Sequence, residues 1–131
     1  MTTELLLKDS LLRAVKSIYG LDKDIDIPIQ QTKKDFKGDL TVNVFPLLKI
    51  SRKSPEDTAS ELGNYLKNNI SLVAEYNIIK GFLNIEISKK HWLSCFSEIL
   101  NIENFGVKSC KENAKPIMVE YSSPNTNKPL H

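Results

Sequence analysis

Cysteine and histidine are scarce in this chain, with two of each among 131 residues. Two cysteines, Cys95 and Cys110, cannot build the several bridges of a disulfide-stapled domain, and their spacing fits no zinc pattern. With His91 and His131 the only imidazoles, no metal site is expected. The thiols read as reduced and structural. Long apolar runs are missing too, none approaching the roughly 20 residues needed to cross a bilayer. The opening MTTELLLKDS has neither the basic start nor the small-residue cleavage site of a secretory signal. A cytoplasmic location is the expectation. No internal repeat or low-complexity tract occurs, so a repeat array is excluded.

What is present is ordinary for a globular domain: 40% hydrophobic and 26% charged residues, in a length that allows one core and not two full ones. The net charge of +2 is uninformative, but its distribution is uneven. Between residues 33 and 53 lie six basic side chains, Lys33, Lys34, Lys37, Lys49, Arg52 and Lys53, against Asp35 and Asp39. Such a stripe with Phe36 beside it suits a phosphate backbone. It equally suits a solvated loop and helix end, which is the plainer reading.

Periodicity divides the chain. Leu7, Leu11, Leu12, Val15, Ile18 and Tyr19 recur at helical spacing over residues 4–19, and Gly20 supplies a stop. Ile25, Ile27 and Ile29 alternate with Asp26, Pro28 and Gln30, predicting a strand that Pro28 confines to an edge. Residues 33–39 form a charged loop hinged at Gly38. Over residues 40–50 Pro46 argues against a central strand, and a kinked helix is expected. Ser54-Pro55-Glu56-Asp57 then combines an N-cap serine, a proline at the first helical position and acids in the first turn, starting a helix to about Asn68 over Ala59, Leu62 and Leu66.

Residues 72–79 and 82–87 are apolar runs joined by Lys80-Gly81, a two-residue hairpin turn. Leu83, Ile85 and Ile87 share one face; Phe82, Asn84 and Glu86 share the other, which puts an aromatic ring beside an amide on the polar side of a sheet. Ser88 caps a last helix whose buried stripe is expected to be Trp92, Phe96, Ile99 and Leu100, with Gly106 as its stop. Residues 108–115 are polar and form a linker. Ile117 to Tyr121 reads as a buried strand, which needs a partner to be stable. The fold class is therefore α+β, a small antiparallel sheet with packed helices. The expected division is a domain over 1–107, the linker 108–115, and the first strand of a second domain over 116–131.

After that strand the loop to His131 gathers Glu120, Ser122, Ser123, Asn125, Asn127, Lys128 and His131. Ligands of open α/β sheets bind at strand carboxyl ends. Lys128 and His131 suit phosphate, Glu120 a cationic group, and Asn125 offers both donors and acceptors. Each alone is explained by a turn or surface role; together they mark a ligand site.

The run VEYSSPNTNKPLH closely resembles the first strand and nucleotide-binding loop of arginyl-tRNA synthetases, class I enzymes in which it continues into a His-x-Gly-His signature. Upstream, Lys37-Gly38-Asp39, Asn43-Val44-Phe45-Pro46-Leu47 and Gly81-Phe82-Leu83-Asn84-Ile85 follow the order of that family's additional N-terminal domain. Between these patches the resemblance is loose. It supports the kinked helix over 40–50. It implies that the second domain is a Rossmann-type catalytic domain, cut off inside its pocket, so that the chain is an N-terminal fragment.

The resemblance further implies that Glu120, Ser123, Asn125, Lys128 and His131 line the arginine and ATP pocket. Glu120 would engage the substrate's charged groups. His131 would be catalytic, stabilising charge as the arginine carboxylate attacks ATP, before the terminal ribose of tRNA takes the aminoacyl group. ATP with magnesium, arginine and tRNA are the implied substrates and partners of a monomeric full-length enzyme, and the fragment alone would be inactive. The N-terminal domain would recognise the D-loop corner of tRNA, with Phe82 and Asn84 stacking on and hydrogen-bonding an unpaired base. For Phe82 the competing reading is a ring packed under a helix. A free-standing RNA-binding or scaffold domain sharing this fold is the alternative for the chain as a whole.

Overall fold

Both ends of helix α1, Thr3–Tyr19, are satisfied locally. Thr2 Oγ1 accepts from the Leu5 amide at 3.4 Å, and Gly20, at φ 66°, donates to the Lys16 carbonyl at 3.0 Å. A left-handed stop is open to glycine because it has no Cβ. Leu7, Leu11, Ala14 and Val15 form the buried face, as helical spacing predicts. The structure is a computed structural model that describes residues 2–21 and 25–120.

Two short strands follow, β1 (Ile29–Gln31) and β2 (Leu40–Asn43), then a 3₁₀ turn (Phe45–Leu47) and one turn of helix, α2 (Leu48–Ser51). The kinked helix expected over 40–50 is thus corrected to strand, turn and short helix. Pro46 breaks no strand: β2 has ended at Asn43, and the proline sits in the first turn of the 3₁₀ segment, where a missing N–H costs nothing. The strand expected from Ile25 is shorter, beginning at Ile29 beyond Pro28.

Helix α3, Pro55–Asn69, starts where the sequence predicts. Ser54 Oγ accepts from the Asp57 amide at 3.1 Å and donates to Asp57 Oδ2 at 2.7 Å. A cap of this kind stabilises a helix by about 1 kcal/mol. Strands β3 (Val73–Ile79) and β4 (Phe82–Ile87) form the expected hairpin, with Lys80 at φ 50° and Gly81 at φ 79°. Positive φ at both turn residues matches the right-handed twist of the strands. A Cβ on Gly81 would lie 2.6 Å from Pro55 Cβ, so this glycine is also required by close packing.

The four strands form one antiparallel sheet in the order β1-β2-β4-β3. Pairing Val42 with Leu83 and Leu83 with Ile78 aligns one apolar row, and Leu40, Ile85 and Tyr76 a second. This face joins the core of α1 and α3, in which Leu11, Leu47, Leu62, Leu66, Leu83 and Ile85 are fully buried. Each such leucine contributes about 1.5–3 kcal/mol by leaving water.

Helix α4, Lys89–Leu100, starts at the predicted cap, with Ser88 Oγ accepting from the His91 amide at 3.3 Å. Its apolar stripe is not buried, however: Trp92 is 44% and Phe96 58% exposed, and Ile99 and Leu100 are exposed as well. The spacing sets the face of the helix but not what covers it. The helix ends at Leu100, before Gly106.

The chain divides into two units, 1–101 and 102–131. Among its described residues the second carries turns but no helix or strand. Ile117, Met118 and Val119 are exposed, so the buried strand expected there is absent through residue 120. An isolated strand leaves its amides and carbonyls unpaired, and the described residues of this unit contain no strand to pair with it. Both cysteines are free; Cys95 is half-buried and Cys110 exposed, so the second has no packing role.

Candidate nucleic-acid interface

The face of the sheet turned away from the helices carries two side-chain rows. Asn43, Phe82 and Ile79 stand in register across β2, β4 and β3. Beside them Gln30, Thr41, Asn84 and Asn77 cross all four strands. The second row is hydrogen-bonded across its length. Thr41 Oγ1 lies 2.6 Å from Asn84 Oδ1 and 3.0 Å from Thr32 Oγ1, Asn84 Nδ2 donates to Asn77 Oδ1 at 3.0 Å, and Asn77 Nδ2 donates to the Lys37 carbonyl at 2.7 Å.

That last bond shows why this face is not open. The loop from Thr32 to Asp39 folds over one end of it and is pinned to β4, with the Asp39 amide donating to Ile85 O at 2.8 Å and Asp39 Oδ2 accepting from the Ile87 amide at 2.7 Å. Gly38, at φ 128°, lies so close that a Cβ would meet Asn84 Cβ at 3.2 Å. Asn84 is consequently only 2% exposed, where alternation alone had predicted an exposed amide.

Between the loop and the hairpin turn remains a cleft of about 210 Å³, lined by Phe36, Lys33, Thr41, Lys80, Phe82 and Asn84, with Gln30 and Ile79. Its floor is amide and hydroxyl, its walls hold two aromatic rings, and Lys33 and Lys80 stand exposed at its rim. Phe82 is half-buried, with its ring edge to face with that of Phe45. Such a cleft offers a stacking surface, in-plane donors and acceptors, and cations for an anionic backbone.

The basic stripe is divided by the fold. Lys37 pairs with Glu86 at 3.0 Å, and that carboxylate holds its ammonium above the usual lysine range. Lys53 is bound to Glu61. Lys33 reaches the cleft, joined there by Lys80 from the opposite strand connection. Nothing in the sequence marks Thr41 and Asn77 as belonging with Phe82. Cross-strand register brings those two beside it, while Lys80 arrives from the hairpin turn just before Phe82.

Of the other candidate residues, Glu120 lies exposed in the coil that ends the described chain. Ser123, Asn125, Lys128 and His131 fall outside the described residues. Among the described residues no group of three or more His, Cys, Asp or Glu side chains could hold a metal ion, and no helix is long and apolar enough to cross a membrane.

By class this is an α+β domain, a helix-backed antiparallel sheet with an aromatic and cationic cleft on its far face. Residues 5–87 match the family described as Arginyl tRNA synthetase N terminal domain, and the chain belongs to that family. It is 48% identical over 132 aligned residues to an arginine–tRNA ligase of Bacteroides fragilis, covering 100% of this chain and 22% of that protein. An arginine–tRNA ligase of Porphyromonas gingivalis is 51% identical over 126 residues, covering 95% of this chain and 21% of that protein. The structure is similar to the arginyl-tRNA synthetase of Thermus thermophilus, with a TM-score of 0.59, 26% identity, and coverage of 79% of this chain and 16% of that one. The chain spans about a fifth of the length of the curated relatives it matches.

Proposed function

We propose that this chain is the RNA-recognising part of an arginine–tRNA ligase, and that the cleft at Phe82 takes an unpaired base from the D-loop corner of tRNA. The observation that carries this reading is the convergence of Phe82, Asn84, Lys33 and Lys80 on one cleft, within a chain whose relatives are arginine–tRNA ligases. In that enzyme Glu120, Ser123, Asn125, Lys128 and His131 belong to the arginine and ATP pocket, where magnesium accompanies ATP. His131 stabilises charge during adenylate formation. Residues 1–107 form the recognition domain, 108–115 a connector, and 116 onward the start of the catalytic domain. The enzyme is monomeric and cytoplasmic.

Binding of tRNA and of a duplex RNA of equal length, titrated against salt, tests the reading. The chain should prefer tRNA, and its affinity should fall steeply with salt as phosphate contacts are screened. Equal affinity for the duplex would refute a loop-reading role. The chain alone should show no arginine-dependent exchange of pyrophosphate into ATP, since the recognition domain performs no chemistry. Detectable exchange would contradict that division of labour.

A further inference from the structure

We infer that Asn77 and the Lys37 carbonyl are the positioning elements that fix which end of the Asn84 amide donates and which accepts, and so set the base preference of the cleft. This rests on the RNA-binding reading of that cleft. A backbone carbonyl can only accept. Lys37 O therefore requires Nδ2 of Asn77, at 2.7 Å, which turns Asn77 Oδ1 toward Asn84. An acceptor there requires Nδ2 of Asn84, which turns Asn84 Oδ1 toward Thr41. The single proton of the Thr41 hydroxyl goes to that oxygen at 2.6 Å, so the bond with Thr32 is donated from the Thr32 side. One carbonyl thus sets the direction of a chain of bonds running through Asn77, Asn84 and Thr41. The carbonyl itself is held, because Gly38, which follows it, lies tight against β4, where a Cβ would meet Asn84 Cβ at 3.2 Å, and Asp39 is bonded to β4 at two points.

Asn84 retains one Nδ2 hydrogen and one Oδ1 lone pair beyond these bonds. Their order in space is fixed. An amide free to flip reads adenine and hypoxanthine alike, since the two differ by exchanging acceptor and donor on adjacent ring positions; cytosine and uracil differ in the same way. An amide that cannot flip accepts one member of each pair and rejects the other.

The test uses D-arm RNA hairpins in which each unpaired loop position is set in turn to adenosine or inosine, and to cytidine or uridine. The wild-type chain should discriminate within a pair by about tenfold at one position. Asn77→Leu and Asn77→Ala release the amide, and the ratio should fall to near one while binding persists. Asn77→Asp keeps an obligate acceptor facing Asn84, so the ratio should survive although every hairpin binds more weakly. A purely structural role for Asn77 predicts no such split between the aspartate and the apolar variants. In parallel, exchange of the Asn84 side-chain amide protons, read by NMR without RNA, should quicken in the leucine and alanine variants and stay slow in the aspartate variant. Discrimination that persists in Asn77→Leu, or disappears in Asn77→Asp with binding intact, overturns the inference alone. Absence of hairpin binding by the wild-type chain overturns the RNA reading itself, and unchanged amide exchange in the apolar variants removes the positioning role independently of RNA.

Discussion

Phe45 meets Phe82 edge to face, with ring centroids 5.5 Å apart and planes inclined at 61°. The contact joins the 3₁₀ turn after β2 to the first residue of β4, and the turn is held by the Phe45 amide donating to Asn43 Oδ1 at 3.0 Å. Phe82 is thereby braced by the turn that follows β2. Replacing Phe45 with alanine should cost about 0.5–1.5 kcal/mol in urea unfolding from the lost ring pairing. Binding of tRNA should weaken by less than it does when Phe82 itself is removed.

Gly63 faces Tyr76 in the interior of α3, and a Cβ there would lie 2.5 Å from the ring. Helix propensity favours alanine over glycine by about 1 kcal/mol. Overpacking opposes it, because the Tyr76 ring is held by its hydroxyl bond to Asn64 Oδ1 at 2.7 Å and cannot easily retreat. Gly63→Ala should therefore be destabilising, by about 1–3 kcal/mol in chemical denaturation. A stabilised variant would show that the ring moves freely.

Glu61 joins α3 to two other parts of the fold, accepting from Lys53 and, at 2.8 Å, from the Tyr19 hydroxyl. Those bonds, Lys53 first, hold its carboxyl below the usual range. A carboxyl lowered in the folded state adds stability above its unfolded value of about 4.3 and loses it as pH falls toward the folded value. Stability should thus decline below about pH 5, and Glu61→Gln should flatten part of that decline.

Tyr19 responds at the other end of the scale. Burial first, then its bond to the Glu61 carboxylate, pushes its hydroxyl well above the ordinary phenol range. Its contribution is full below the unfolded value of about 10 and is lost as pH rises toward the folded one. Thermal melts of Tyr19→Phe should show a shallower alkaline decline than the wild type.

Where structure is set by neighbours in sequence, the sequence was legible. Ser54 and Pro55 mark the start of α3, and Lys80-Gly81 marks the hairpin, because caps and two-residue turns depend on the residues that form them. The kinked helix expected around Pro46 does not form because a proline excludes itself from a strand but not a strand that ends at Asn43 before it. Periodicity and hydrophobicity give the α4 stripe and the run from Ile117 to Tyr121 a preferred face, but burial needs a partner that the spacing does not supply, and Ile117, Met118 and Val119 are exposed. In the cleft, Phe82 and Asn84 were found by alternation and resemblance. Thr41, Asn77 and the Lys37 carbonyl were not, since strand order and loop closure bring them together across as many as 40 residues of chain.

The affinity of the Phe82→Ala variant for tRNA, measured at fixed salt by fluorescence anisotropy beside the wild type, tests the central claim most directly. A base stacked on this ring predicts a loss of about 5- to 150-fold, the equivalent of 1–3 kcal/mol, with the circular dichroism spectrum unchanged. Equal affinity in a folded variant would contradict the claim and leave Phe82 as a brace for Phe45.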